Sequence, residues 1–249
     1  MTPPPDDAEP LRTLAFAAPE GALWGAGWFP GSGPGVLIVS AGGGARALEA
    51  SLDAAGEEWR VSTPQGELRI APEGEAAQLG AGERSPSGSE QLCRVSGGLE
   101  LGEAPGAVEA PGRRGERQVP DGLERQDSVR EVSAWFGDGE AAVLVAARPR
   151  KHKGHEQDAC AAVVLDPEAW PAITDPRLST TYAADGRVRR MTLELWNEDP
   201  EQLPRRVAGE ALGQGASGRA GDWALSAELL LCHSRGRDGL GVYLLARPA

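Results

Sequence analysis

Apolar residues in this chain come in short runs separated by glycine- and proline-rich turns, and within the clearest runs they alternate with polar ones. Met191, Leu193 and Leu195 point one way while Arg190, Thr192 and Glu194 point the other; Trp223, Leu225, Ala227, Leu229 and Leu231 also share one face. A period of two puts successive side chains on opposite faces of a strand, and helical spacing fits neither segment.

Three hairpins stand out in the second half. Runs at 127–136 and 141–148 flank Gly137-Asp138-Gly139-Glu140, and runs at 177–182 and 187–196 flank the Asp185-Gly186 turn. Runs at 223–233 and 241–246 flank a turn placed at Asp238-Gly239. Asp-Gly pairs supply the positive φ that tight hairpins require. Residues 156–165 and 206–212 add two strands. The first half reads the same way at lower contrast, with strands at 11–16, 23–29, 36–40, 46–52, 59–63, 67–70 and 91–97. Only 44–55 and 203–211 also admit short helices. The Gly-, Glu-, Ser- and Pro-rich 71–90 reads as a loop, and 111–122, polar and bracketed by prolines, reads as a boundary. The predicted fold is all-β: two antiparallel sandwiches or barrels, residues 1–115 and 116–249.

Composition narrows the function classes. A net charge of −12, from 37 acidic and 25 basic residues, disfavours nucleic acid and anionic membrane surfaces. No window approaches the roughly 18 apolar residues of a membrane-spanning helix, and the opening residues lack the regions of a secretory signal. Cys93, Cys160 and Cys232, an odd and widely spaced set in apolar runs, read as buried hydrophobes in a reducing compartment, which predicts a cytoplasmic protein. Gly31-Ser32-Gly33-Pro34-Gly35 and Gly42-Gly43-Gly44 lack the Lys-Ser/Thr of a phosphate loop, and no nucleophile elbow is present. No cofactor and no metal site is expected.

The layout resembles the duplicated lipocalin-like superfamily of carotenoid hydratases and AttH-type proteins, which also includes fungal pericyclases. The resemblance is carried by Gly122-Leu-Glu-Arg-Gln-Asp-Ser-Val-Arg130 ahead of Trp135-Phe136, by Arg177-Leu-Ser-Thr-Thr-Tyr182 with its Asp185-Gly186 turn, and by Leu193-Glu-Leu-Trp196. Family members read Asp-His-Ser-Trp-Gly at the crossover, where this chain reads Asp127-Ser128-Val129-Arg130. The resemblance implies two lipocalin-like modules and an apolar cavity for an isoprenoid, lipid or polyketide-like molecule.

Candidate chemistry follows from that expectation. His155 and Asp158, beside Lys151-His152-Lys153-Gly154, are acid/base candidates, as is Asp127 at the crossover. Glu194, Glu210 and Glu228 lie inside strands; in a sandwich they face water, whereas in a barrel a buried one gains a raised pKa and donates protons. Arg130 and Arg177, with Arg125, pair with such acids or bind a ligand carboxylate. Trp28, Trp135, Trp196 and Trp223, with Tyr182, are core residues or the walls of a ligand site. Three readings compete: a binder of a hydrophobic small molecule, a cofactor-independent hydratase, cyclase or isomerase, and a non-catalytic interaction protein with a filled interior. The expected partner is a hydrophobic small molecule, with no nucleic acid and no stable membrane insertion; a homodimer remains open.

Overall fold

The computed structural model describes residues 9–19, 22–31, 33–41, 44–80, 85–102, 106–137, 139–151, 158–166, 171–199 and 201–249. Its described elements are seventeen strands and one 3₁₀ turn, Leu123–Arg125. Strands β1 (Leu11–Ala17), β2 (Leu23–Pro30), β3 (Gly35–Ala41), β4 (Ala45–Asp53), β5 (Trp59–Thr63), β6 (Gly66–Gln78), β7 (Ser87–Leu99) and β8 (Gly106–Gln118) pair in sequence order. β8 returns to β1 to close an antiparallel barrel.

After the 3₁₀ turn come β9 (Gln126–Trp135), β10 (Ala141–Pro149), β11 (Ala159–Leu165), β12 (Asp175–Tyr182), β13 (Val188–Trp196), β14 (Arg205–Ala211), β15 (Ala216–Ala220), β16 (Trp223–Ser234) and β17 (Arg237–Pro248). They form a second antiparallel sheet in the order β11-β10-β9-β17-β16-β14-β13-β12, with β15 also on β16. This barrel is nearly closed: β11 and β12 lie side by side without a ladder, leaving a seam. No helix of the described residues is long and apolar enough to cross a membrane.

Alternation explains where the core sits. One face of each strand fills a barrel: Phe16, Phe29, Leu37, Trp59, Leu68 and Cys93 in the first, and Val132, Leu144, Met191, Leu193, Val207 and Leu230 in the second. The outward faces of β1–β3 are apolar too, through Trp24, Trp28, Val36 and Ile38. They meet Val129, Val143, Val145, Leu229 and Leu244 from the outside of the second barrel, forming a third core between the barrels. Hence these strands read as continuous apolar runs rather than alternating ones, as strands buried on both faces do.

Three expectations change. Residues 71–90 are mostly strand, because β6 and β7 continue their backbone ladder past the bulge between Glu73 and Ala77, and a ladder needs no apolar side chains. The strands expected at 46–52 and 206–212 are present as β4 and β14, so the short helices that 44–55 and 203–211 also admitted are not formed. The polar run from Pro111 to Gln118 is the second half of β8, hydrogen-bonded to β7 and, at 112–117, to β1. The last hairpin turns at Arg235-Gly236, whose φ values of 53° and 75° match a two-residue turn; Asp238 and Gly239 already pair with His233 and Cys232.

The seam between β11 and β12 is partly covered from the first barrel. Just beyond β6, Gly80 and Ala162 of β11 exchange hydrogen bonds, N–H to O, of 2.9 and 3.1 Å. A Cβ on Gly80 would sit 2.5 Å from the Ile173 carbonyl oxygen, so only glycine fits between β11 and the approach to β12.

Candidate functional site

Inward-facing polar residues of the second barrel converge at one end, where β9, β11 and β16 begin and β10, β12 and β17 finish. Arg130 faces inward because it shares its face with Val132 and Ala134. It pairs with Asp158, whose other oxygen accepts from Arg148 Nε at 2.6 Å. Tyr243 and Glu228 are cross-strand partners, and the Tyr243 hydroxyl lies 3.0 Å from that of Tyr182. A bulge between Thr181 and Tyr182 ends the regular ladder with Tyr182 opposite Val188. Arg187, leaving the β12–β13 turn, reaches in to pair with Glu228. Gly215 makes room for that carboxylate: a Cβ there would meet Glu228 Cδ at 2.2 Å.

The electrostatics of this end are those of a half-dry site. Burial raises the Glu228 carboxyl above its ordinary value, against the pull of Arg187. Burial and the neighbouring Tyr182 push the Tyr243 phenol upward, so it stays a neutral donor. At this end the buried atoms without a hydrogen-bond partner among the described residues include Arg130 Nε, Thr180 Oγ1 and Glu228 Oε2. Such an atom costs about 1–3 kcal/mol, which most folds avoid. The opposite end is closed by Glu140 with Arg205 and Arg237, and Arg205 lies over the Phe136 ring. Burial lowers the Arg205 guanidinium to about 10.

A second polar cluster lies between the barrels, within their otherwise apolar contact. Arg113 and Arg117 of β8 face Glu90 of β7 and Glu131 of β9, all four buried. Arg113 also donates to Thr13 at 2.5 Å and Ser133 at 2.7 Å. Burial raises both carboxyls. For Glu131 the two arginines reverse that and hold it low, whereas Glu90 stays raised. These charges are mutually satisfied, which suits a fastening more than a reactive site.

The sequence-predicted residues divide accordingly. Asp158, Glu228, Arg130 and Tyr182 meet at the polar end. Trp28, Trp135 and Trp223 pack between the barrels, with the Trp28 and Trp223 rings 6.0 Å apart. Arg177 and Trp196 lie on the outer surface, the guanidinium 5.8 Å from the ring centroid and paired with Asp175. Glu194 pairs with Arg206 and Glu210 with Arg190 on that outer side, and Asp127 is exposed. His155 and Trp170 lie outside the described residues. Sequence reading missed Tyr243, Arg148 and Arg187, along with Glu90, Arg113, Arg117 and Glu131. The signal for Tyr243 was its place among the inward residues of an alternating strand, Gly241 to Leu245.

The best-formed openings among the described residues are grooves, not enclosed cavities. One of about 450 Å³ lies between the barrels, against Val36, Ala47, Leu48, Glu49, Gly218 and Arg219. Another of about 230 Å³ lies by Trp59, Gln91 and Arg114 of the first barrel. No group of three or more His, Cys, Asp or Glu among the described residues is placed to hold a metal.

Neither a family model nor a curated protein matches the sequence. Solved structures do match its fold. CghA with Sch210972 aligns at a TM-score of 0.66 and 12% identity, covering 97% of this chain and 89% of that one. An AttH-like protein from Nitrosomonas europaea aligns at 0.66 and 12%, over 98% and 94%. Kievitone hydratase from Nectria haematococca aligns at 0.58 and 6%, over 97% and 89%. The chain therefore has the two-barrel fold of these lipocalin-like proteins: its hairpins predicted two antiparallel β modules, and the resemblance predicted their lipocalin-like kind.

Proposed function

We propose that the chain binds a small, largely apolar molecule at the polar end of its second barrel, with the seam between β11 and β12 as the way in. The observation that carries this is the pair of buried, unpartnered polar atoms, Arg130 Nε and Glu228 Oε2, on the inward face beside two phenols. Val132, Leu144, Met191 and Leu245 supply apolar surface below them. Because those side chains fill the interior, entry needs the seam to part or Arg130 and Tyr182 to swing aside. Related architectures support the reading: a two-barrel relative carries Sch210972, and another is named a hydratase. Three free thiols, two of them buried, suit a reducing, cytoplasmic setting.

The test is an NMR titration of the full chain with short apolar alcohols and acids. Shifts should concentrate at residues 130–132, 180–188, 228 and 241–245. Shifts confined to the groove by Val36 and Arg219, or none at all, would remove the reading. A second reading follows from the raised Glu228 carboxyl, which suits a proton donor to an alkene or carbonyl in a cofactor-independent hydratase or cyclase. Undiminished turnover of a bound substrate by Glu228→Gln would end it.

A further inference from the structure

We infer that the ligand of the second barrel's polar end carries a carboxylate or carboxylate-like anion as its head group. This rests on the reading of that end as a binding site and adds the chemistry of the ligand to it.

The argument is an inventory of hydrogen-bonding capacity. Both oxygens of Asp158 are engaged, one by Arg130 and one by Arg148. Arg130 still has its Nε–H, which points to no acceptor among the described residues. Of the three hydroxyl hydrogens of Thr180, Tyr182 and Tyr243, the contacts of Tyr243 with the other two take at most two, which leaves at least one free. Of the Glu228 oxygens, one is taken by Arg187, and the other has no donor among the described residues. Since burial favours protonation of that carboxyl, it turns into a donor when it takes up a proton. The Arg130 Nε–H and the free hydroxyl hydrogen are thus unmatched donors of the site, and a ligand that satisfies both must bring acceptors.

Charge points the same way. Arg130, Arg148 and Arg187 face Asp158, Glu228 and nearby Asp185, and Arg247 lies over the Tyr182 ring with its guanidinium 5.9 Å from the centroid. Among these groups positive charge is in excess by one, inside a chain whose net charge is −12. An anion here also forms charge-assisted hydrogen bonds, about twice as strong as neutral ones. A hydroxyl head group brings a single oxygen and no charge, and so forms no charge-assisted bond with Arg130 and leaves the excess positive charge unmatched.

Isothermal titration calorimetry of the full chain at neutral pH with octanoate and with 1-octanol tests this, since the two share a chain and differ in the head. Octanoate is expected to bind at least tenfold more tightly. Arg130→Met should remove the preference, so that octanoate and octanol bind this variant with affinities within about twofold of each other. Tyr182→Phe, at the exposed rim where folding tolerates it, should cut the octanoate preference several-fold. Equal affinities in the native chain, or a preference that survives both substitutions, would overturn the head-group assignment and leave the binding reading standing. Saturable binding of neither probe would overturn both.

Discussion

The guanidinium of Arg113, on the last strand of the first barrel, holds the carboxylate of Glu131, on the first strand of the second, at 2.6 Å, with both side chains buried. Glu90 and Arg117 complete the square, with Arg117 Nε donating to Glu90 at 2.6 Å. The apolar contact between the barrels is non-directional and would tolerate sliding, whereas four interlocked charges do not.

Removing one corner should therefore cost more than removing the whole square. Arg113→Met leaves Glu131 short of a partner in a dry interface and should lower unfolding free energy by about 3–5 kcal/mol. Replacing all four charged residues with apolar ones of similar volume should cost far less. Urea denaturation compares the two, and an Arg113→Met loss below about 1 kcal/mol would contradict the arrangement.

The raised Glu228 carboxyl gives a pH dependence with a definite sign. Its folded value lies above the ordinary 4.5, so the folded chain binds the proton more tightly than the unfolded chain. The contribution is fully present below about 4.5 and is lost as pH rises through the folded value. Relative to the native chain, Glu228→Gln should gain stability as pH climbs from 4.5 toward neutrality. Thermal melts across that range check this, and a difference that stays flat or falls would refute it.

Gly80→Val should disturb a place far from its own barrel. The added side chain collides with the Ile173 carbonyl and breaks the exchange of hydrogen bonds with Ala162. Hydrogen–deuterium exchange should quicken at Ala162 and along β11 while β9 and β17 stay protected. Unchanged protection at Ala162 would mean that the bridge does not hold that edge.

The thiols should react in a fixed order. Burial pushes Cys93 and Cys232 up to about 12, and Cys160, less deeply covered, up to about 11. Thiolate is the reactive form, so a disulfide reagent should label Cys160 first and the other two only on unfolding. Early labelling of Cys93 would contradict its place inside the first barrel.

Much of the architecture was legible because strand faces and turns are local. The alternation of Met191, Leu193 and Leu195 needs only neighbours along the chain to be read, and so does Asp185-Gly186. The β6–β7 extension was not legible: its ladder is backbone to backbone, and paired residues such as Glu73 and Gln78 carry no apolar signal. Arg113 and Arg117 looked like a solvated linker for a related reason. A buried ion pair is made by residues distant in sequence, and nothing beside Arg117 announces Glu131. At the polar end, Asp158, Glu228, Arg130 and Tyr182 were named from residue type, but the face each would take was open until the barrel closed around them. The tryptophans show the reverse: their bulk marked burial correctly, and only the pairing of the barrels decided that Trp28 and Trp223 meet each other.

The bridge from Gly80 to Ala162 also bears on what the molecule avoids. The outer edge of β11 carries unpaired amide and carbonyl groups along an apolar strand, the kind of surface that recruits further strands from other molecules. Part of that edge is occupied by the hairpin of the preceding barrel, in the same chain and at the same stoichiometry. A second barrel produced alone would therefore lay bare the part of its edge at Ala162 that the first barrel covers.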